Sequence, residues 1–290
     1  MRKKFIREKK IYCGENYLEV DIVPVTNMPE AGKKKKKESS QKQKNLNEKR
    51  SRRRFVQIAN TNFGAGDYHI TATYSPDYLP KSLKDAEKEA HKFLDKVKRK
   101  MKRDTGQDLK YMLVTEYTPQ EAEDGEECAQ EEENKKAVRI HHHFIINGGL
   151  SRDDLELMWS HTRINWKKAS DPEYRESVDS IGFINCDRLQ PNENGLEAIV
   201  NYINKRKKGC KKWSTSRNLK KPKIKKNDHK FSFRKLRTLA QTPEDKSYWR
   251  NLYRGYEPVS IDFQHNEDTG WSVYLKLKKT KVRAQAKIRT

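Results

Sequence analysis

The sequence predicts an α+β fold: a central antiparallel sheet with helices packed on it, followed by a small C-terminal β-hairpin region. Three observations lead there. Residues 67–75 alternate apolar with polar positions, and residues 110–116 and 138–146 are further short runs rich in β-branched and aromatic side chains, as strands are. Other stretches repeat apolar residues at i, i+3, i+4 and i+7, the spacing of an amphipathic helix. The resulting order of strand, helix, strand, strand, helix, strand, helix suits helices lying on an antiparallel layer.

Taken in order, the first thirty residues hold one strand pattern, Tyr17-Leu-Glu-Val-Asp-Ile-Val-Pro24, and no motif. Residues 31–54 form a basic block, in which Lys33 to Lys37 with Ser39 and Ser40 read equally as a solvated linker or as a phosphate-neutralising segment. The strand at 67–75 stops at Pro76, which cannot donate to a ladder. Ser82 with Asp85 is a helix N-cap with an acidic third position, and Ala86, Ala90, Phe93, Leu94, Val97 and Met101 then share one face as far as Asp104-Thr-Gly106. The strands at 110–116 and 138–146 enclose one highly charged segment and predict a hairpin with a long loop. Ser151 with Asp154 opens a helix carrying Leu155, Leu157, Met158 and Trp159, and residues 181–185 make a short strand. Asn194 with Glu197 caps a helix bearing Leu196, Ile199, Val200 and Ile203. Residues 259–263 and 271–277 flank Asp268-Thr-Gly270 as a terminal hairpin. The expected organisation is an N-terminal segment with a basic linker (1–54), a central domain (55–210) and a basic extension ending in the hairpin (211–290).

Charge narrows the function classes. The 290 residues carry 64 Lys+Arg against 41 Asp+Glu, a net +23, with 33% apolar residues. Residues 31–54 contribute 12 bases against 2 acids, residues 205–237 contribute 16 against 1, and residues 121–134 hold eight carboxylates and no base. Two concentrated basic blocks imply an anionic partner, nucleic acid above all. No apolar run approaches the length of a membrane span. Met1-Arg-Lys-Lys4 opens no apolar leader, and Cys13, Cys128, Cys186 and Cys210 show no paired spacing, so a reduced cytoplasmic setting is expected.

The chemistry sits in three places. His141 and His143 project from one face of their strand and His142 from the other. Two imidazoles so placed can share a divalent metal, and Glu116, closing the partner strand, can add a carboxylate and leave coordination positions open. Tyr202 and Lys205 lie three apart on the exposed side of the last helix, where a phenol can attack a polarised phosphorus beside a cation. The competing readings are a half-buried hydrogen-bonded histidine, a solvated carboxylate, and an ordinary exposed Tyr and Lys.

In sequence order, Ile70-Thr-Ala-Thr-Tyr74, Glu116, His141-His-His143 and Tyr202-Ile-Asn-Lys205 resemble the HUH endonucleases, in particular single-tyrosine rolling-circle replication initiators of phages and plasmids. Lys49-Arg-Ser-Arg-Arg-Arg54 leading to Ala59-Asn-Thr-Asn-Phe63, and Ser214-Thr-Ser-Arg-Asn-Leu-Lys-Lys-Pro222, extend the likeness over about residues 45–225. The resemblance implies an RRM-like, ferredoxin-like sheet for the central domain, with Mg²⁺ or Mn²⁺ held by His141, His143 and Glu116. It implies that Tyr202 forms a 5′-phosphotyrosine with single-stranded or melted origin DNA and frees a 3′-OH, assisted by Lys205. Arg206, Lys207, Lys208, Lys211, Lys212, Trp213, Arg217, Lys220 and Lys221 are then expected to bind the strand, with Phe231 and Phe233 as further rings, and a small core under the C-terminal hairpin is the equal alternative for the three aromatics. Ala198 and Arg206 stand one turn either side of Tyr202, so no paired tyrosine is present. No phosphate-binding G-x-x-x-x-G-K-[ST] loop occurs, which assigns unwinding to a separate host helicase and synthesis to a host polymerase. A relaxase or single-strand transposase of the same chemistry, and a non-catalytic nucleic-acid-binding protein, are the alternatives.

Overall fold

A computed structural model describes residues 4–26, 40–116, 140–203 and 213–280. In chain order these form β1 (Lys4–Cys13), β2 (Tyr17–Thr26), α1 (Gln41–Asn62), β3 (Tyr68–Thr73), α2 (Leu83–Thr105), β4 (Tyr111–Glu116), β5 (His141–Ile146), α3 (Arg152–Leu157), α4 (Pro172–Glu176) and β6 (Ile184–Arg188). There follow α5 (Glu197–Ile203), β7 (Ser214–Thr215), β8 (Lys223–Asn227), α6 (Phe233–Leu239), α7 (Lys246–Leu252), β9 (Tyr256–Asn266) and β10 (Gly270–Lys279). The α+β class is as expected, but the strands make two five-stranded antiparallel sheets rather than one. Each sheet belongs to its own compact unit.

The larger unit draws its described residues from Ser39–Pro191 and Leu196–Leu219. Its sheet runs β6-β3-β5-β4-β7, with β5 in the middle. Alternation sends Ile70, Ala72, Leu113, Phe144 and Ile146 to one face, where α2 covers them with Ala90, Phe93, Leu94 and Val97. The Ser82 hydroxyl accepts the Asp85 N–H at 3.2 Å, capping α2 as its sequence predicts. The helix ends at Gly106, whose φ of 69° is a left-handed conformation that suits glycine. On the opposite face Met112, Val114 and Ile145 meet Phe55, Val56 and Ala59 of α1 and Val200 and Ile203 of α5.

The candidate linker at 33–39 lies outside the described residues, and the rest of the basic block, from Gln41, is part of helix α1. Lys, Arg, Gln and Glu are good helix formers, and residues 41–54 continue without a break into the buried Phe55 turn. A boundary at residue 54 therefore cuts through a helix. The strand expected at 181–185 lies three residues later, as β6. Asn194 does not cap α5: the Leu196 N–H donates to Asn60 Oδ1 at 2.8 Å, so the cap comes from α1. The acidic stretch 121–134 lies outside the described residues.

The smaller unit holds described residues of Met1–Glu38, Asn192–Gly195 and Lys220–Thr290. Its sheet runs β8-β1-β2-β10-β9, with α6 and α7 on one face through Leu236, Trp249 and Tyr253 against Ile6, Val20, Ile22 and Leu275. The expected terminal hairpin is present as β9 and β10, but it is joined to an N-terminal hairpin, so 1–54 and 211–290 are not separate pieces. Strand β1 escaped the sequence pattern because Glu8 occupies an inward position. It is 2% exposed and accepts from Tyr253 Oη at 2.7 Å and Lys230 Nζ at 2.9 Å. Replacing Glu8 by Ala strands both donors, an expected loss on the order of 2–3 kcal/mol. A clearly lowered denaturant midpoint checks this, and an unchanged one contradicts it.

Candidate metal centre and its tyrosine

The site is assembled by strand register. In the β4–β5 ladder Glu116 stands directly opposite His141, and in the β3–β5 ladder Thr73 faces His141 and Thr71 faces His143. Because β5 is the middle strand, His141 and His143 share a face with Glu116, Thr71 and His69, while His142 turns into the α2 core. Glu116 Oε2 lies 3.1 Å from His141 Nε2 and 3.8 Å from His143 Nε2. One ligand atom from each residue lies within 4.8 Å of the other two. A carboxylate oxygen and two imidazole nitrogens so placed suit a divalent cation without selecting one.

The interior shell fixes the rings. His143, 2% exposed, has its Nδ1 3.2 Å from both Thr71 Oγ1 and His69 Nε2, and the His69 ring stacks on it with centroids 5.4 Å apart. With Nε2 toward Glu116, the His143 proton belongs on Nδ1, and Thr71 and His69 accept it. Burial holds His69 below the ordinary histidine value, against the opposing pull of Asp187, and so favours the neutral ring, whose tautomer with its lone pair on Nε2 can accept from His143. On the other face the fully buried His142 is held between Tyr74 Oη at 2.7 Å and Thr115 Oγ1 at 2.9 Å. The hydrogen-bonded alternative weighed for these histidines describes His142, with full burial, and His143 is buried and hydrogen-bonded as well, with its Nε2 left toward Glu116.

Helix α5 delivers the tyrosine. Val200 and Ile203 bury their side chains against the sheet, and Tyr202, 54% exposed, sits with its ring centroid 5.8 Å from that of His143. Asn60 ties the start of this helix to α1. The segment resembling Ser214-Thr-Ser-Arg-Asn218 has a structural use, since β7 joins β4, Ser216 Oγ accepts the Tyr111 N–H at 3.0 Å, and Asn218 Nδ2 donates to Leu109 O at 3.0 Å. It returns the chain to the sheet edge after the tyrosine helix.

Glu116, His141, His143 and Tyr202 are brought together. Lys205, Arg206, Lys207, Lys208, Lys211 and Lys212 lie outside the described residues. Trp213 is a correction: its ring stacks on Phe55 at 5.1 Å and its Nε1 donates to Ser51 Oγ at 3.2 Å, so it packs the α1 core instead of presenting a face to a base. Phe231 likewise belongs to the core of the smaller unit. Arg217 is exposed in the larger unit, and Lys220 and Lys221, also exposed, belong to the other one. His69 and Thr71 went unnoticed in the sequence. Their two-residue spacing marks a shared face, but only the β3–β5 register shows that it is the face of His143.

Compared with known proteins, the chain matches no family model, no curated protein and no solved structure. Among the described residues no helix is long and apolar enough to cross a membrane.

Removing the acceptor behind a metal-binding imidazole costs about 10–100-fold in metal affinity. His69→Ala, with Thr71 still in place, is expected to weaken Mn²⁺ binding about 10-fold in calorimetric titration, and His69→Gln, which keeps an acceptor, to recover most of it. Equal affinity in all three proteins contradicts this role.

Proposed function

We propose that the chain is a metal-dependent nicking and joining enzyme of the single-tyrosine HUH type, acting on single-stranded or melted origin DNA to initiate rolling-circle replication. The observation that carries the proposal is the convergence of a Glu116–His141–His143 donor set with the tyrosine of a separate helix, Tyr202 standing ring to ring with His143. A structural histidine cluster has no need of an exposed phenol at its mouth.

Mg²⁺ or Mn²⁺ bound by the three donors supplies Lewis-acid polarisation of a phosphate oxygen. Tyr202 Oη would form the new bond to phosphorus as the P–O3′ bond breaks, and the phenol proton would pass by way of solvent to the leaving 3′-oxygen, which gives a free 3′-OH and leaves the 5′-phosphate on the tyrosine. Attack by a 3′-OH on that phosphotyrosine reverses the step and joins strands. His143, held from behind by Thr71 and His69, orients one donor, and Lys205 offsets developing charge. The lysines and arginines at 205–221 attract the backbone, which makes affinity depend steeply on salt. Host helicase and polymerase act as separate partners in the cytoplasm of a bacterial cell.

The test is a covalent adduct on a denaturing gel after incubation with labelled single-stranded DNA and Mn²⁺. Tyr202→Phe is expected to abolish the adduct while leaving DNA binding within about 2-fold, and chelation to abolish it in the unaltered protein. An adduct that survives either treatment overturns the assignment. Binding with a steep salt slope and no adduct under any metal supports the non-catalytic alternative.

A further inference from the structure

We propose that Phe183 is a stacking platform for a nucleobase beside the metal centre, an inference that rests on the nucleic-acid reading of that site and adds a residue to it. The ladders place Phe183 in a particular row. Ile184 is opposite Ala72, and the pairing continues one residue beyond β6, because the Thr73 N–H and hydroxyl both donate to the Phe183 carbonyl, at 2.8 and 3.0 Å. Thr73 is opposite His141, and His141 is opposite Glu116. Phe183, Thr73, His141 and Glu116 therefore form one cross-sheet row that contains two of the three metal donors. Ile184 and Ala72 turn toward the α2 core, so alternation turns Phe183 to the face of the histidines. Two inter-strand steps separate it from His141, roughly 10 Å of sheet.

Its exposure has no structural explanation. Phe183 is 72% exposed, more than any other large apolar residue among the described ones, and it belongs to no core cluster. The backbone in front of it is closely fitted. A Cβ on Gly182 would lie 2.3 Å from Thr73 O, so only glycine lets the chain enter the row there. A ring held out from a rigid sheet, in line with the metal donors, has the form that unstacked bases use. Trp213 and Phe231 are unavailable for that role, being packed into cores. Occupancy by a base would set the strand across the row, with a phosphate reaching the donors on β4 and β5.

The experiment uses the full chain with Mn²⁺ and a short oligodeoxythymidine carrying one 2-aminopurine stepped along its length. Stacking on Phe183 is expected to quench the fluorophore within a narrow window of positions. Phe183→Ala is expected to lose that quenching and about 10-fold in affinity, and Phe183→Trp to restore both. Placing an abasic unit within the window is expected to weaken the unaltered protein to the level of Phe183→Ala and to cost that variant nothing more. Because the ring is exposed, the thermal midpoint and Mn²⁺ affinity of Phe183→Ala should match those of the unaltered protein. Identical quenching and affinity in the Ala variant overturn the platform while the Tyr202-dependent adduct still stands. Absence of any adduct with Phe183-dependent quenching intact overturns the nuclease reading instead and leaves the base site in place.

Discussion

The β4–β5–β3 register governs the rest of the site. A strand shows only every second side chain to a given face, and a slip of one residue exchanges the two faces. On β5 the choice is made by Phe144 and Ile146, which must lie under α2, and by Ile145, which must lie under α1 and α5. Once those three are buried, His141 and His143 have to emerge together and His142 has to enter the core. The same ladder fixes Glu116 opposite His141. Apolar burial thus sets the positions of the polar donors, which have no comparable energy of their own with which to choose a register.

A second constraint acts through α1. Its basic half leads without interruption into Phe55, Val56 and Ala59, and Asn60 at the following turn accepts the backbone N–H that starts the tyrosine helix. The described part of helix α5, Glu197–Ile203, lies against the same core as α1. Its placement derives from Val200 and Ile203 beneath it and from Asn60 at its start. The spacing between Tyr202 and His143 is therefore set by packing that neither residue contributes.

The parts of this arrangement that were legible in the sequence are those written in local periodicity. The α2 stripe from Ala86 to Met101, its Ser82 cap, the alternation of β3 and the strand character of β4 and β5 could all be read directly, and the split of the three histidines between two faces followed from them. What was hidden depended on pairings distant in sequence. Strand β1 carries Glu8 at a buried position, a choice that makes sense only with Lys230 and Tyr253 beside it. The His69–His143 contact spans 74 positions and rests on a ladder that no local pattern specifies. Trp213 looked like an aromatic set among lysines, yet its partner is Phe55, far upstream. The basic helix α1 was ambiguous because lysine and arginine suit a helix and a solvated segment equally well.

Charge and chemistry also separate more cleanly in the fold than in the sequence. The described part of the basic block, from Trp213 to Arg237, runs across two units. Arg217 lies in the unit of the metal donors, and Lys220 and the wholly exposed lysine-rich strand β8 lie in the other. The central claim, that Glu116, His141 and His143 hold a divalent cation at the mouth of the tyrosine helix, is tested most directly by a crystal of the protein soaked in Mn²⁺ and measured for anomalous scattering. The account expects one strong peak at coordination distance from a Glu116 carboxylate oxygen and from Nε2 of both His141 and His143, with Tyr202 facing it. A crystal whose manganese binds elsewhere, with none at these three side chains, would contradict the account.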